Sequence, residues 1–343
     1  MSSPVELHDL PPVAEVAGVT PDVFVNDIMP KARPVLMRGL VAAWPAVLAA
    51  RDSDEGIAAY IQAMDNGALT SVLEANASVG GRFDYGPGLH DFNFRRRSRQ
   101  VSDGVRQLID LKSHPNPPYV YIQSVPTPQH LPRFSAENQN PLLSPRIVPR
   151  IWISNATRAQ THNDQDHNIA CVVAGRRRFT LFPPEQVANL YIGPYDHTPS
   201  GRAISLASLE NPDFTAHPRF AEALKTALVA DMMPGDALYV PKYWWHHVQS
   251  MTPFNVLVNY WWGGAAPAEN PHTTFLSALL TLKDLPESER SYWKAMFDHY
   301  LFQTGGDPVG HIPPAHQGAL GKVSPAVRQD LLRTLQQIFA GRV

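Results

Sequence analysis

The chain has 343 residues, 44% of them hydrophobic, and 29 Lys and Arg against 31 Asp and Glu, for a net charge of -2. That composition allows a large core and gives no global drive towards nucleic acid or an anionic membrane, so neither is expected as a partner. The one cysteine, Cys171, excludes an internal disulfide and a cysteine-rich zinc site, no stretch has the apolar length of a membrane span, and Met1–Glu6 lacks the basic and apolar regions of a secretory signal; a cytoplasmic protein is expected.

In chain order, residues 1–30 read as an extended lead-in. Pro34–Gly39 reads as a short strand ended by Gly, and Leu40–Ala50 as a helix interrupted by Pro45. Ser53 is a good N-cap for a helix running to about Met64. Residues 65–100 suggest strands and a Gly-rich loop, and Ser102-Asp103 opens a helix to about Leu111. From Pro118 the period changes to two. Tyr119–Gln123, Arg150–Ile153, Ile169–Val173, Arg177–Phe182, Ala237–Val240 and Val256–Trp262 are strand-like, separated by Pro, Gly and Asn. The segment 186–232 reads as a long excursion with a helix at about Phe220–Val229. After Trp262, Thr273–Lys283, Glu287–Phe302 and Pro325–Phe339 carry apolar residues at helical spacing. The 33 prolines favour short strands with many loops over a helical bundle. The expected fold is mainly β, with a sandwich or barrel core. N-terminal α/β elements (1–117) and C-terminal helices (263–343) flank that core (118–262).

One constellation carries chemistry. His162 and Asp164 are two residues apart, and positions i and i+2 of a strand share a face. One strand can therefore aim an imidazole and a carboxylate at the same point. A further imidazole from a neighbouring strand would complete two His and one carboxylate on one side of a metal, the arrangement of non-haem Fe(II) oxygenases. The doublet His246-His247 offers it, and only one of two adjacent strand residues can face the metal. His167 is a rival ligand. Parity also places Arg177 on one face with Phe179 and Leu181, an interior position where a guanidinium needs a carboxylate partner.

The runs Thr161–Asn168, Gly175–Pro184 and Pro234–His247 resemble the cupin-8 group of jumonji-C oxygenases, the asparaginyl hydroxylase of that group most of all. The resemblance extends over about residues 118–262, with weaker matches in Pro34–Gly39 and Ala43–Ala46. It implies a double-stranded β-helix, or jelly-roll, core. It implies Fe(II) held by His162, Asp164 and His246, with 2-oxoglutarate and O2 as cosubstrates. Arg177 stands where the family usually has a Lys for the cosubstrate carboxylate, and Ala159 where it has a Thr, a loss for which Thr161 is the nearby replacement. Tyr121, Asn168 and Asn259 match positions beside the cosubstrate and metal, and Gln123 and Arg202 match peptide-contacting positions. The implied activity is hydroxylation of a protein side chain or a small molecule with release of succinate and CO2. The C-terminal helices are implied to form a homodimer. The alternative is a non-catalytic cupin that binds a ligand or partner.

Overall fold

Thirteen strands form among the residues described by the computed structural model, 10–266 and 269–341. The first nine residues of the expected lead-in lie outside the described residues. The strands are β1 (Ala14–Ala17), β2 (Val35–Arg38), β3 (Leu69–Ala75), β4 (Arg95–Gln100), β5 (Tyr119–Pro126), β6 (Pro149–Ser154), β7 (Arg158–Asn163), β8 (His167–Ala174), β9 (Arg177–Phe182), β10 (Leu228–Met232), β11 (Ala237–Val240), β12 (Trp245–Ser250) and β13 (Asn255–Trp262). A nine-stranded sheet runs β1-β2-β11-β8-β13-β6-β5-β3-β4, and a four-stranded sheet runs β10-β9-β12-β7. Strands far apart in the chain pair antiparallel, as in a jelly roll.

The two sheets bury a common apolar layer that includes Val172, Phe179, Leu181, Leu238 and Leu257. Each such side chain contributes about 1.5–3 kcal/mol by leaving water. The other face of the larger sheet is covered by helices Pro45–Asp52, Asp54–Gln62 and Val101–Leu111. Their Val47, Ile57, Ile61 and Leu108 pack in one cluster with Ile122, Ile151 and Val258. This is why β8 is buried along almost its whole length instead of alternating.

Local chemistry explains two departures from the expected elements. Pro45 does not interrupt a helix. It occupies the first turn of one, where its missing N–H and fixed φ suit the start. The helix Phe220–Leu224 stops early because Leu228–Met232 forms β10, which pairs antiparallel with β9. Gly175, at φ 74°, makes the turn between β8 and β9; a Cβ there would collide with Thr252 and Asn255. That turn sets which face of β9 carries Arg177.

The chain divides into two compact units, one up to Gly263 and one from Gly264. The second contains helices Pro271–Thr281, Glu287–Tyr300 and Pro325–Phe339, the first capped by Asn270 and the last by Ser324. Among the described residues no helix is long and apolar enough to cross a membrane.

Candidate metal centre

His162 lies on β7, Asp164 just beyond its end, and His246 on β12 directly opposite His162. Their donor atoms all lie within 4.8 Å of one another, so a single ion can meet the three. The rings of His162 and His246 are 4.4 Å apart between centroids. Each imidazole is set by a backbone carbonyl two residues earlier: His162 Nδ1 is 2.7 Å from the Gln160 oxygen, and His246 Nδ1 is 3.0 Å from that of Trp244. A carbonyl only accepts, so each Nδ1 carries the proton and each Nε2 lone pair is free for a metal. Burial, and then the neighbouring His246, hold the His162 imidazole down at about 4, so it stays neutral. Asp164 accepts from the Trp261 indole N–H at 3.0 Å and has Arg202 Nε 3.6 Å from its other oxygen. Its backbone oxygen accepts from Tyr243 N at 2.9 Å, tying the end of β7 to the turn before β12.

The other half of the histidine doublet turns away, as strand parity requires. His247 Nε2 is 3.1 Å from Glu210 Oε1 on the far face of β12. Burial raises the Glu210 carboxyl, but the His247 contact, a backbone hydrogen bond and Arg158 3.2 Å away together outweigh it and hold it down at about 2. His167 is engaged elsewhere too, its Nδ1 2.9 Å from the Tyr239 hydroxyl.

The three donors open into a cavity of about 620 Å³, within the range of small-molecule sites. Tyr121, Gln123, Asn168, Arg177, Arg202 and Asn259 all line it. Arg177 is only 3% exposed, and its Nε and Nη2 have no hydrogen-bond partner. Burial pulls its guanidinium down to about 10, opposed by the neighbouring Tyr121 hydroxyl. Burial likewise pushes Tyr121 up to about 12. Asn259 links two lining groups: its Oδ1 accepts from Trp152 Nε1 at 2.7 Å, and its Nδ2 donates to Asn168 Oδ1 at 3.2 Å. The Asn168 amide is thereby oriented with its NH2 group left over.

Thr161 is a correction. It is buried but does not line the cavity; adjacent to His162, its side chain leaves from the opposite face of β7. Instead Ala159 and Gln160 both line the cavity although they are neighbours. The pairs His246–His162 and Val248–Ala159 explain this, since β7 fits one more residue than β12 between them. Such a bulge bends the strand and re-aims its side chains. Gln160 is buried with an unpartnered Nε2 and went unread in the sequence. So did Trp261 and Trp152. Parity would have found Trp261, two residues beyond Asn259.

The donor set suits a divalent ion: two imidazoles and one carboxylate, with partners that fix their orientation. The buried Arg177, with Nε and Nη2 unpartnered, suits a carboxylate, which its planar fork can bind with two hydrogen bonds.

The profile of the cupin-like domain family matches residues 21–266. The chain is similar to the Lysine-specific demethylase JMJ31 of Arabidopsis thaliana, 38% identical over 112 residues that cover 32% of this chain and 20% of that protein. It is similar to the HSPB1-associated protein 1 of Homo sapiens, 33% identical over 131 residues covering 36% and 26%. With the tRNA wybutosine-synthesizing protein 5 of Gallus gallus it shares 25% identity over 320 residues, 82% of this chain and 91% of that protein. The matches to the first two thus span a fifth and a quarter of those proteins' lengths. A jelly-roll core, two histidines and an aspartate in one cavity, and a family match across most of the chain lead to one conclusion: this protein belongs to the cupin-like, jumonji-C-type family.

Proposed function

We propose that the chain is an Fe(II)- and 2-oxoglutarate-dependent oxygenase that hydroxylates a C–H bond of a protein side chain or small molecule. The observation that carries this reading is the sharing of one cavity by the His162/Asp164/His246 cluster and the unpartnered Arg177. Bound iron with 2-oxoglutarate and O2 would supply the oxidising chemistry, with succinate and CO2 released. The chain's own part is positional. His162, Asp164 and His246 would hold the ion, with both histidines presenting Nε2. Arg177 and Tyr121 would bind a carboxylate of the cosubstrate, and the Asn168 amide, held by Asn259, would donate a further hydrogen bond. Phe179, Trp152 and Trp261 supply apolar surface beside the donors. A demethylase among the relatives is in keeping with oxidation at carbon.

The test is conversion of 2-oxoglutarate to succinate by purified protein with Fe(II), followed by NMR, with His246→Ala as control. Metal and 2-oxoglutarate binding without any succinate, even after prolonged incubation, would favour the non-catalytic cupin instead. The buried Cys171 thiol, its ionisation suppressed by burial, is in keeping with a reducing, cytoplasmic setting. In the second unit Leu280, Phe302 and Phe339 are 84%, 69% and 70% exposed, which supports self-association into a homodimer. Light scattering of the full chain against a chain ending before Pro325 tests this; a full chain that stays monomeric at high micromolar concentration defeats it.

A further inference from the structure

We infer that the prime substrate is a small anion with an aromatic or flat apolar body, drawn in by the carboxylate-free charges of Arg150 and Arg96 on the cavity wall. This deepens the oxygenase reading and rests on it. The cavity wall carries five arginines and two aspartates, with no lysine or glutamate. Three of the arginines have an assignment. Arg158 Nε sits 3.2 Å from Glu210, Arg202 Nε sits 3.6 Å from Asp164, and Arg177 awaits the cosubstrate.

Arg96 and Arg150 are left over. Arg150 donates from Nη1 to the Ser124 carbonyl at 3.0 Å and lies 5.7 Å from the centre of the Trp261 ring. Arg96 donates from Nη2 to the Pro199 carbonyl at 2.5 Å and lies 5.5 Å from the centre of the Phe94 ring. Neither meets a carboxylate among the described residues. A guanidinium has five N–H donors, so both retain donors after these contacts. A nearby ring and a carbonyl restrain each guanidinium in advance, which lowers the ordering cost when an oxyanion binds.

The cavity charge supports the same conclusion. A divalent ion offsets the aspartates, and a dicarboxylate cosubstrate takes up Arg177. Two arginines then remain on a ring-lined wall, Arg150 half-buried and Arg96 exposed. An incoming cation would meet like charge, whereas an oxyanion would be steered in and paired. Phe83, Phe94, Trp152 and Trp261 supply flat faces for the rest of the molecule. A methylated-lysine side chain, being cationic, is the wrong charge for this wall.

The test uses calorimetric titration of three probes of similar size: phenyl phosphate, benzoate and benzyltrimethylammonium. The first preparation is the full chain loaded with Mn(II) and N-oxalylglycine, a redox-inert pair. The second is metal-free Arg177→Gln protein, in which an anion cannot simply occupy the Arg177 position. In the loaded protein the anions should bind at least tenfold more tightly than the cation; in the metal-free protein, whose aspartates lack the ion that offsets them, only anion affinity is read. Arg96→Gln/Arg150→Gln should lose at least tenfold of anion affinity, and Arg150→Lys should keep most of it. Comparing phenyl phosphate with benzoate distinguishes a phosphate ester from a carboxylic acid as the natural group. Equal or tighter binding of the cation by the loaded protein, or unchanged anion binding in the double variant of either preparation, overturns the inference. So does a short RNA that binds these arginines more tightly than either small anion. Failure to load Mn(II) and N-oxalylglycine counts against the oxygenase reading alone, because the metal-free preparation still reports on Arg96 and Arg150.

Discussion

Asp164 and Arg177 are opposite charges buried in the same cavity, and their surroundings differ in kind. Asp164, 7% exposed, has an indole N–H on one oxygen, Arg202 near the other, and the His246 ring 3.8 Å away. Arg177, 3% exposed, has two nitrogens with no partner at all. The first charge is oriented before any ligand arrives, which favours tight metal binding. The second is held at a cost to stability that a bound carboxylate would remove. A cavity organised this way is rigid where the metal would sit and unsatisfied where the cosubstrate would sit.

The strongest way to break this comparison is at the metal end. His162→Ala, Asp164→Ala or His246→Ala should abolish binding of Mn(II) and succinate formation while circular dichroism still reports a folded jelly roll. His247→Ala should keep the metal, because that ring faces Glu210. Metal titration followed by fluorescence decides, and loss through His247 but not His246 would reverse the register read for β12.

At the other end, Arg177→Met should weaken 2-oxoglutarate binding by roughly 3–5 kcal/mol. The sign on stability is the opposite. Without ligand the variant should melt higher than the parent chain, since an unpaired buried cation has been removed. Differential scanning calorimetry with and without 2-oxoglutarate checks both, and a variant that melts lower in the absence of ligand would mean Arg177 is already satisfied.

A smaller effect sharpens the metal end. Trp261→Phe keeps the ring and deletes the hydrogen bond to Asp164, and should lower metal affinity by about 10- to 100-fold. An unchanged Mn(II) affinity would show that Arg202 and the backbone suffice to orient the carboxylate.

The smallest effect lies outside the cavity, at the partly exposed Glu210, which lies 3.1 Å from His247 and 3.2 Å from Arg158. The Glu210 carboxyl is held down at about 2 from 4.5, so its contribution to stability is complete above 4.5 and lost as pH falls towards 2. With its partial exposure, that contribution is on the order of 1 kcal/mol. Denaturation of Glu210→Gln across this window should be less acid-sensitive than that of the parent chain, while Arg177→Met should leave the slope unchanged.

Much of this protein is legible in the chain without its fold. Period-two segments gave β5, β6, β8, β9, β11 and β13 because a strand's side chains alternate wherever the strand lies. Ser53 marks a helix start because capping involves only neighbours, its Oγ accepting from Gly56 N at 2.9 Å. The same local parity puts Arg177 with Phe179 and Leu181 and separates His246 from His247. What lay beyond the sequence depends on which strands meet and in what register. The placing of His246 opposite His162, the extra residue that turns both Ala159 and Gln160 into the cavity, and the Trp261 bond to Asp164 join segments up to 97 residues apart. Alternation along one strand is written in the covalent chain. The offset between two strands is chosen only when their apolar faces are buried together, and that choice belongs to the tertiary structure.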